Sequence, residues 1–433
     1  MHRNITNELL KWKNSSRRQP LILLGARQVG KTYVLKHFGK KYYRNVAYVS
    51  CDNNELVKDL FAEDYNIERI ILNLSAITGE SITPGETLII LDEIQEVSRG
   101  LTALKYFCEN APEYHVCVAG SLLGIAMRQG ESFPVGKVDL MRMYPMTFDE
   151  FLLAKGKDTV CDALRKKEWK TMNGMHTLLT QLLREYYFVG GMPKVVSTFV
   201  ETNDAVVVRK MQQDILFAYS LDMSKHTTPT EMKRISQVWA SIPAQLSKEN
   251  KKFIYGVVRD GARAKDFELA IQWLIDAGMV HRVPRVTAPA MPLKVYEDFS
   301  SFKLYLLDVG LLGAMSGIPG ELLLMPNNMG ASKGMFTENY VCTHLAANIG
   351  HEPFYYSRDN SQLEIDFVIQ NGVDIVPIEV KAEENLQAKS LRTVLQKHPG
   401  LKAVRFSMSP YREQEQITNV PLYGASVFFS ESL

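Results

Sequence analysis

Gly25-Ala26-Arg27-Gln28-Val29-Gly30-Lys31-Thr32 fits the pattern GxxxxGK[ST], and it stands between an apolar run, LILLG at 21–25, and a helical stretch that opens at Tyr33. A strand, a glycine loop and a helix in that order commit the chain to a sheet whose strands end on one ligand-bearing edge. The glycines let backbone N–H groups wrap a phosphate at a helix N-terminus. Lys31 is placed to reach β and γ phosphates, and the Thr32 hydroxyl is placed to ligate Mg²⁺. Residues Gly25 to Tyr33 are therefore the candidate nucleotide-binding segment, with ATP as the expected ligand.

Three further runs, VAYVS at 46–50, TLIILD at 87–92 and HVCVAGS at 115–121, have the short, two-sided apolar character of parallel strands covered on both faces. The second ends in Asp92-Glu93, the Walker B arrangement: Asp92 is expected to hold the Mg²⁺ shell and Glu93 to orient or deprotonate the attacking water. The third ends at Ser121, which reads either as a sensor between the acids and the γ-phosphate or as a helix cap. Arg128 and Arg142 are candidates for an arginine finger.

These residues, with LDEIQEV at 91–97, VAGSLLG at 118–124, MYPMTFDEF at 143–151, YYFVGGMPKVV at 186–196, LIDAGMVHRV at 274–283 and LYLLDVGLLGAM at 304–315, resemble a known family. It comprises bacterial and archaeal ATPases of the AAA+ class that carry a C-terminal domain of unknown function with a restriction-nuclease-like fold. The resemblance covers nearly the whole chain and implies ATP hydrolysis. In that family an arginine commonly stands at the position of Lys137, so the role of that position is open here.

At 433 residues the chain exceeds one ordinary domain of about 100–200 residues. It is expected to comprise a P-loop α/β domain at 1–155, a helical and winged-helix region at 156–300, and a small α/β restriction-endonuclease-like domain at 301–433. The winged helix is read from an amphipathic helix at 231–246, a turn at Gly261, a second helix and a hairpin at GMVHRVPRV. From Arg263 to Asp276 two positive residues face three negative ones, which favours packing or protein contact over DNA. Tyr187, Gly190, Gly191 and Pro193 read as an interdomain turn.

Near the C-terminus, Glu364-Ile365-Asp366 and Ile378-Glu379-Val380-Lys381 are strand-like. Period-2 alternation puts Ile378 and Val380 in the core, with Glu379 and Lys381 together on the other face beside Asp366. Glu338 shares a helical stripe with Val341, Leu345 and Ile349, so its carboxylate needs a partner, and a second Mg²⁺ shared with Asp366 is one expectation. The set resembles the D…ExK core of restriction-endonuclease-like proteins, which cleave phosphodiesters with metal. A nuclease fold retained as a binding scaffold fits the same residues. His344 and His351 read as packing or surface residues.

Composition narrows the partners. Fifty basic against 48 acidic residues give +2, so DNA remains a candidate without support from a global basic field, and a protein partner or a second copy of the chain is another. The longest apolar runs, Leu21–Leu24 and Leu88–Leu91, are strand-length, so no bilayer span is expected. The start MHRNITNELLKWKNSS has no continuous apolar stretch, and five scattered cysteines form no CxxC pair, which suits the cytoplasm.

Overall fold

The four apolar runs of the N-terminal part form β1 (Leu21–Leu24), β2 (Asn45–Ser50), β3 (Thr87–Asp92) and β4 (His115–Ala119). A fifth strand, β5 (Asp139–Arg142), joins them in a parallel sheet of order β2-β3-β4-β1-β5. This computed structural model describes residues 1–430 except 127–132, 226, 326–331, 350–352, 359–362 and 385–387. Arg128 and His351 lie outside the described residues.

β3 and β4 are buried along their whole length, as central strands covered on two sides must be. The helices of this part are α1 (Ile5–Asn14), α2 (Lys31–Tyr42), α3 (Glu55–Glu63), α4 (Ile67–Thr78), α5 (Gly100–Asn110) and α6 (Leu123–Ala126). The reason α4 forms is legible in its residues. Asn66 caps its N-terminus by accepting the Arg69 N–H, Gly79 ends it at φ 69°, and Ile67, Ile70, Ile71 and Leu74 make one apolar stripe. That stripe packs into a core with Ile22, Ile89, Leu91, Val116 and Val118, each buried side chain contributing about 1.5–3 kcal/mol.

The chain forms two compact units. The first holds His2–Tyr144 together with Asp276–Gly278; the second holds Pro145–Ile275 and Met279–Leu433, with Met1. Both stretches at which the first unit hands the chain over are tightly built into it. A Cβ on Gly25 would lie 2.3 Å from the Met143 carbonyl oxygen, one on Gly124 would lie 2.2 Å from the Asp276 carbonyl oxygen, and one on Gly278 would lie 3.0 Å from the Ala26 nitrogen.

The second unit opens with α7 (Phe148–Ala154), α8 (Asp158–Arg165), α9 (Trp169–Gly174), α10 (His176–Val189), α11 (Pro193–Thr202), α12 (Ala205–Asp222), α13 (Pro229–Leu246), α14 (Tyr255–Val258) and α15 (Ala264–Asp276), whose final residue is counted with the first unit. Next come β6 (Val280–Val286), β7 (Glu297–Leu306), α16 (Val309–Met315), α17 (Gly320–Leu324), α18 (Lys333–Ile349), β8 (Phe354–Ser357), β9 (Glu364–Asn371) and β10 (Asp374–Val380). The unit ends with α19 (Lys389–Lys397), β11 (Ala403–Ser407), β12 (Arg412–Glu413) and β13 (Ile417–Pro421). Its strands make one mixed sheet of order β12-β13-β11-β10-β9-β8-β6-β7.

β6 pairs antiparallel with β7 and parallel with β8, so the hairpin shares hydrogen bonds with the C-terminal strands. The main stretch of the first unit ends at Tyr144. Tyr187, Gly190, Gly191 and Pro193, expected as an interdomain turn, instead join α10 to α11 inside the second unit. Asp308 holds that turn: its Oδ2 accepts the Gly191 N–H at 2.6 Å and its Oδ1 the Leu311 N–H at 2.8 Å. Gly190, at φ 74°, gives the carboxylate room, since a Cβ there would meet Asp308 Oδ1 at 2.2 Å.

His344 is buried in α18, as a packing residue would be. Its Nε2 accepts the Phe148 N–H at 2.9 Å and its Nδ1 lies 2.8 Å from the Tyr340 carbonyl oxygen. A carbonyl only accepts and an amide only donates, so the ring is neutral with its proton on Nδ1. All five cysteines are free thiols, four of them buried.

Candidate nucleotide site and the C-terminal acidic set

The P-loop segment leaves β1 and enters α2 with Gly25 at φ 148°, Gln28 at φ 67° and Gly30 at φ 96°. Left-handed backbone at the loop's centre and at the helix N-terminus is what a phosphate-wrapping turn demands. Lys31 is buried, and its ammonium donates to the Gly25 carbonyl at 2.7 Å and the Ala26 carbonyl at 2.9 Å. Burial lowers the Lys31 pKa to about 8, against the pull of Glu93 and Asp92.

Thr32 Oγ1 donates to Asp92 Oδ2 at 2.7 Å, so the two expected Mg²⁺ donors already meet. Both are oxygens, the chemistry a hard dication selects, and the pair fits Mg²⁺. Tyr48, which sequence reasoning passed over, donates its hydroxyl to the same Asp92 oxygen at 3.2 Å. Register could have found it: Ser50 is paired with Asp92, and Tyr48 lies two residues back on the same face. Burial, then the Asp92 charge, raises the Tyr48 pKa to about 12.

Glu93 sits at the end of β3 in left-handed backbone, φ 54°, a conformation uncommon for a residue with a Cβ. Its Oε2 accepts three hydrogen bonds: from the Ser121 N–H at 3.0 Å, the Ser121 hydroxyl at 3.1 Å and Gln95 Nε2 at 2.5 Å. Ser121, expected as a sensor or a helix cap, thus lies on Glu93, and Gln95 is a neighbour that spacing did not reveal.

Other candidates lie differently. Arg27 and Gln28 are exposed, and Tyr33 is exposed with its ring stacked on His37. Arg142 is exposed at the end of β5, beside β1. Lys137 makes a surface ion pair with Glu109 at 3.0 Å. Arg3, which no motif flags, is buried and donates to the Val29 carbonyl of the loop at 2.8 Å and to the Tyr144 carbonyl at 2.6 Å.

In the second unit the acidic set is arranged otherwise than expected. Glu338 does find a partner, but it is a lysine: Lys251 Nζ lies 2.7 Å from Glu338 Oε1, both side chains buried, and the Tyr305 hydroxyl donates to Oε2 at 3.0 Å. Asp366 is half-buried, and its Oδ2 accepts the Val380 N–H at 2.8 Å. Burial, then the nearby Glu338 charge, raises its pKa. Glu379 is buried rather than facing solvent, because both faces of β10 are covered where it lies. Lys381 pairs with Glu379 Oε1 at 2.9 Å, and Glu379 Oε2 has no hydrogen-bond partner among the described residues. Lys303, also buried, is 2.6 Å from Glu364. Burial pulls its pKa down, yet Glu364, Glu338 and Asp366 hold it above the ordinary value.

Among the described residues no three His, Cys, Asp or Glu side chains gather as a metal-ligand set. The Glu338 oxygens meet an ammonium and a hydroxyl, so within the chain the partner its carboxylate needs is Lys251 together with Tyr305.

Residues 17–152 match a family model described as an AAA domain. Residues 180–322 and 333–423 match two described as domains of unknown function, DUF8612 and DUF4143. The sheet order, the loop and the matched model together make the N-terminal part an AAA-type P-loop ATPase domain. No curated protein matches the chain. Among solved structures, the Walker-type ATPase paby2304 of Pyrococcus abyssi is 14% identical, with 72% of this chain and 94% of that chain covered, at a TM-score of 0.41. The Orc1 protein of Aeropyrum pernix, solved with DNA, is 14% identical over 74% and 92%, at 0.28. Cdc6p of Pyrobaculum aerophilum is 12% identical over 73% and 90%, also at 0.28. Among the described residues no helix is long and apolar enough to cross a membrane.

Proposed function

We propose that the chain is a Mg²⁺-dependent ATP hydrolase whose nucleotide state controls a C-terminal domain of restriction-endonuclease-like fold. The observation that carries the hydrolase reading is the 2.7 Å contact of Thr32 Oγ1 with Asp92 Oδ2, flanked by buried Lys31 and by Glu93 at the strand end. Mg²⁺ held by Thr32 and Asp92 would neutralise charge on the β and γ phosphates. Lys31 would exchange the carbonyls of Gly25 and Ala26 for phosphate oxygens. Glu93 would take the proton of the water that attacks the γ-phosphorus.

The C-terminal reading is supported by element order. α18 is followed by β8, β9 and β10 in antiparallel pairing, then by α19 and by β11 parallel to β10. α13, α14 and α15 followed by the β6–β7 hairpin, with the Phe253 N–H donating to the Phe302 carbonyl as a short third pairing, support the winged helix. The packing of Met143 and Gly278 against the P-loop supports control of the second unit by nucleotide.

Lys251 on Glu338 favours a scaffold over an ATP-gated DNA nuclease. The acid is already neutralised by the chain itself, and the C-terminal fold then serves as a docking surface for a protein partner. The free thiols fit a reducing compartment such as the cytoplasm. The test is Mg²⁺-dependent ATP turnover by the purified chain, with and without linear DNA, while the DNA is followed on a gel. Turnover lost in Lys31→Ala and lowered to a measurable residue in Glu93→Gln, with DNA intact throughout, is the expected result. DNA loss that disappears in Asp366→Ala would restore the nuclease, and absence of turnover would remove the hydrolase reading.

A further inference from the structure

Gln95 is built into the site at a cost. Its Nε2 donates to Glu93 Oε2 at 2.5 Å, while its Oε1 is buried and has no hydrogen-bond partner among the described residues. An orphaned buried acceptor lowers stability and calls for an explanation. The amide also dictates a neighbour: a Cβ on Gly120 would lie 2.0 Å from Gln95 Oε1, so only glycine at 120 leaves the amide its place. The left-handed backbone at Glu93 is a second strained element at the same spot. All three donors converge on one oxygen of Glu93, and Oε1 carries none of these bonds.

We infer that Gln95 is a positioning residue for Glu93: together with Ser121 it holds carboxylate oxygen Oε2 and leaves Oε1 as the oxygen that receives the proton of the attacking water. The inference rests on the hydrolase reading above and adds the residue that aims its base. A carboxylate on a flexible stem loses most of its effect when its direction is not fixed.

The test compares kcat, KM, affinity for a fluorescent ATP analogue and thermal stability in Gln95→Ala, Gly120→Ala and Glu93→Gln, with the Gln95→Ala/Glu93→Gln double variant. Gln95→Ala is expected to lower kcat by about 10- to 100-fold with KM and affinity within about twofold. Its thermal stability should hold or rise, because the orphaned acceptor goes with the side chain. Gly120→Ala should reproduce the kcat loss by displacing the amide. In the Glu93→Gln background, Gln95→Ala should add nothing, as for residues that act as a unit. Unchanged or raised kcat in Gln95→Ala, or a further loss in the double variant, would overturn the inference while wild-type turnover left the hydrolase reading standing. A wild-type chain that binds nucleotide without turning it over would bring down both.

Discussion

Lowering the pH from 7.5 to 5 should weaken the second unit through His344. The ring accepts from the Phe148 N–H and donates to the Tyr340 carbonyl, so a second proton would set N–H against N–H. Burial is the main reason its pKa falls from 6.5 to about 4. Between those values the unfolded chain binds the proton and the folded chain does not. The stabilisation is thus whole above pH 6.5 and is lost as pH falls toward 4. The full gap corresponds to roughly 3 kcal/mol, of which about 2 kcal/mol is gone at pH 5. Urea unfolding followed by tryptophan fluorescence suits the measurement, since Trp169, Trp239 and Trp273 of the four tryptophans lie in this unit. The comparison is with His344→Gln, whose amide oxygen can still accept from Phe148 and does not titrate. The wild type should lose about 2 kcal/mol more than the variant on going to pH 5. His115, lowered to about 4 chiefly by burial, titrates in both proteins and cancels. Equal losses in the two proteins would refute the argument.

Other perturbations have equally definite outcomes. Lys31→Ala removes the one buried ammonium of the P-loop and should weaken ATP binding by about 10- to 100-fold, the worth of a charge-assisted hydrogen bond or two; titration with a fluorescent analogue reads it. Gly25→Ala forces a Cβ to within 2.3 Å of the Met143 carbonyl oxygen, so both nucleotide affinity and melting temperature should fall, and a melting temperature equal to wild type would contradict the packing described. Lys251→Met leaves the Glu338 carboxylate buried without its cation and should cost about 3–5 kcal/mol in urea unfolding, with Lys251→Met/Glu338→Gln recovering part of it.

The candidate nucleotide site was legible because its chemistry is contiguous. Gly25 to Thr32 is a single run, and Asp92 and Glu93 end a strand whose apolar residues announce it. What stayed hidden depends on chain reversals or long separations. Gln95 is two residues beyond Glu93, and only the left-handed turn at Glu93 brings the two side chains together. Lys251 reaches Glu338 across 87 positions, and the acid's need of a partner could be read while the partner's identity could not. The segment at 280–286, expected as a hairpin, is a single strand, and its pairing with β7 and β8 follows from sheet order that no local pattern carries. β5 escaped because Asp-Leu-Met-Arg is four residues with two charges at an edge, where burial imposes little pattern.

That Asp276–Gly278 belongs to the first unit has a consequence for biogenesis. The backbone that closes against Ala26 is translated more than 240 residues after it, behind the whole run of helices from α7 to α15. At about 5–20 residues per second, the P-loop waits on the ribosome for some ten seconds or more before its last wall arrives. A protein truncated at Tyr144 would retain every residue expected to hold phosphate and still lack that wall, so nucleotide affinity should mature late in synthesis, after α7 to α15 have been made.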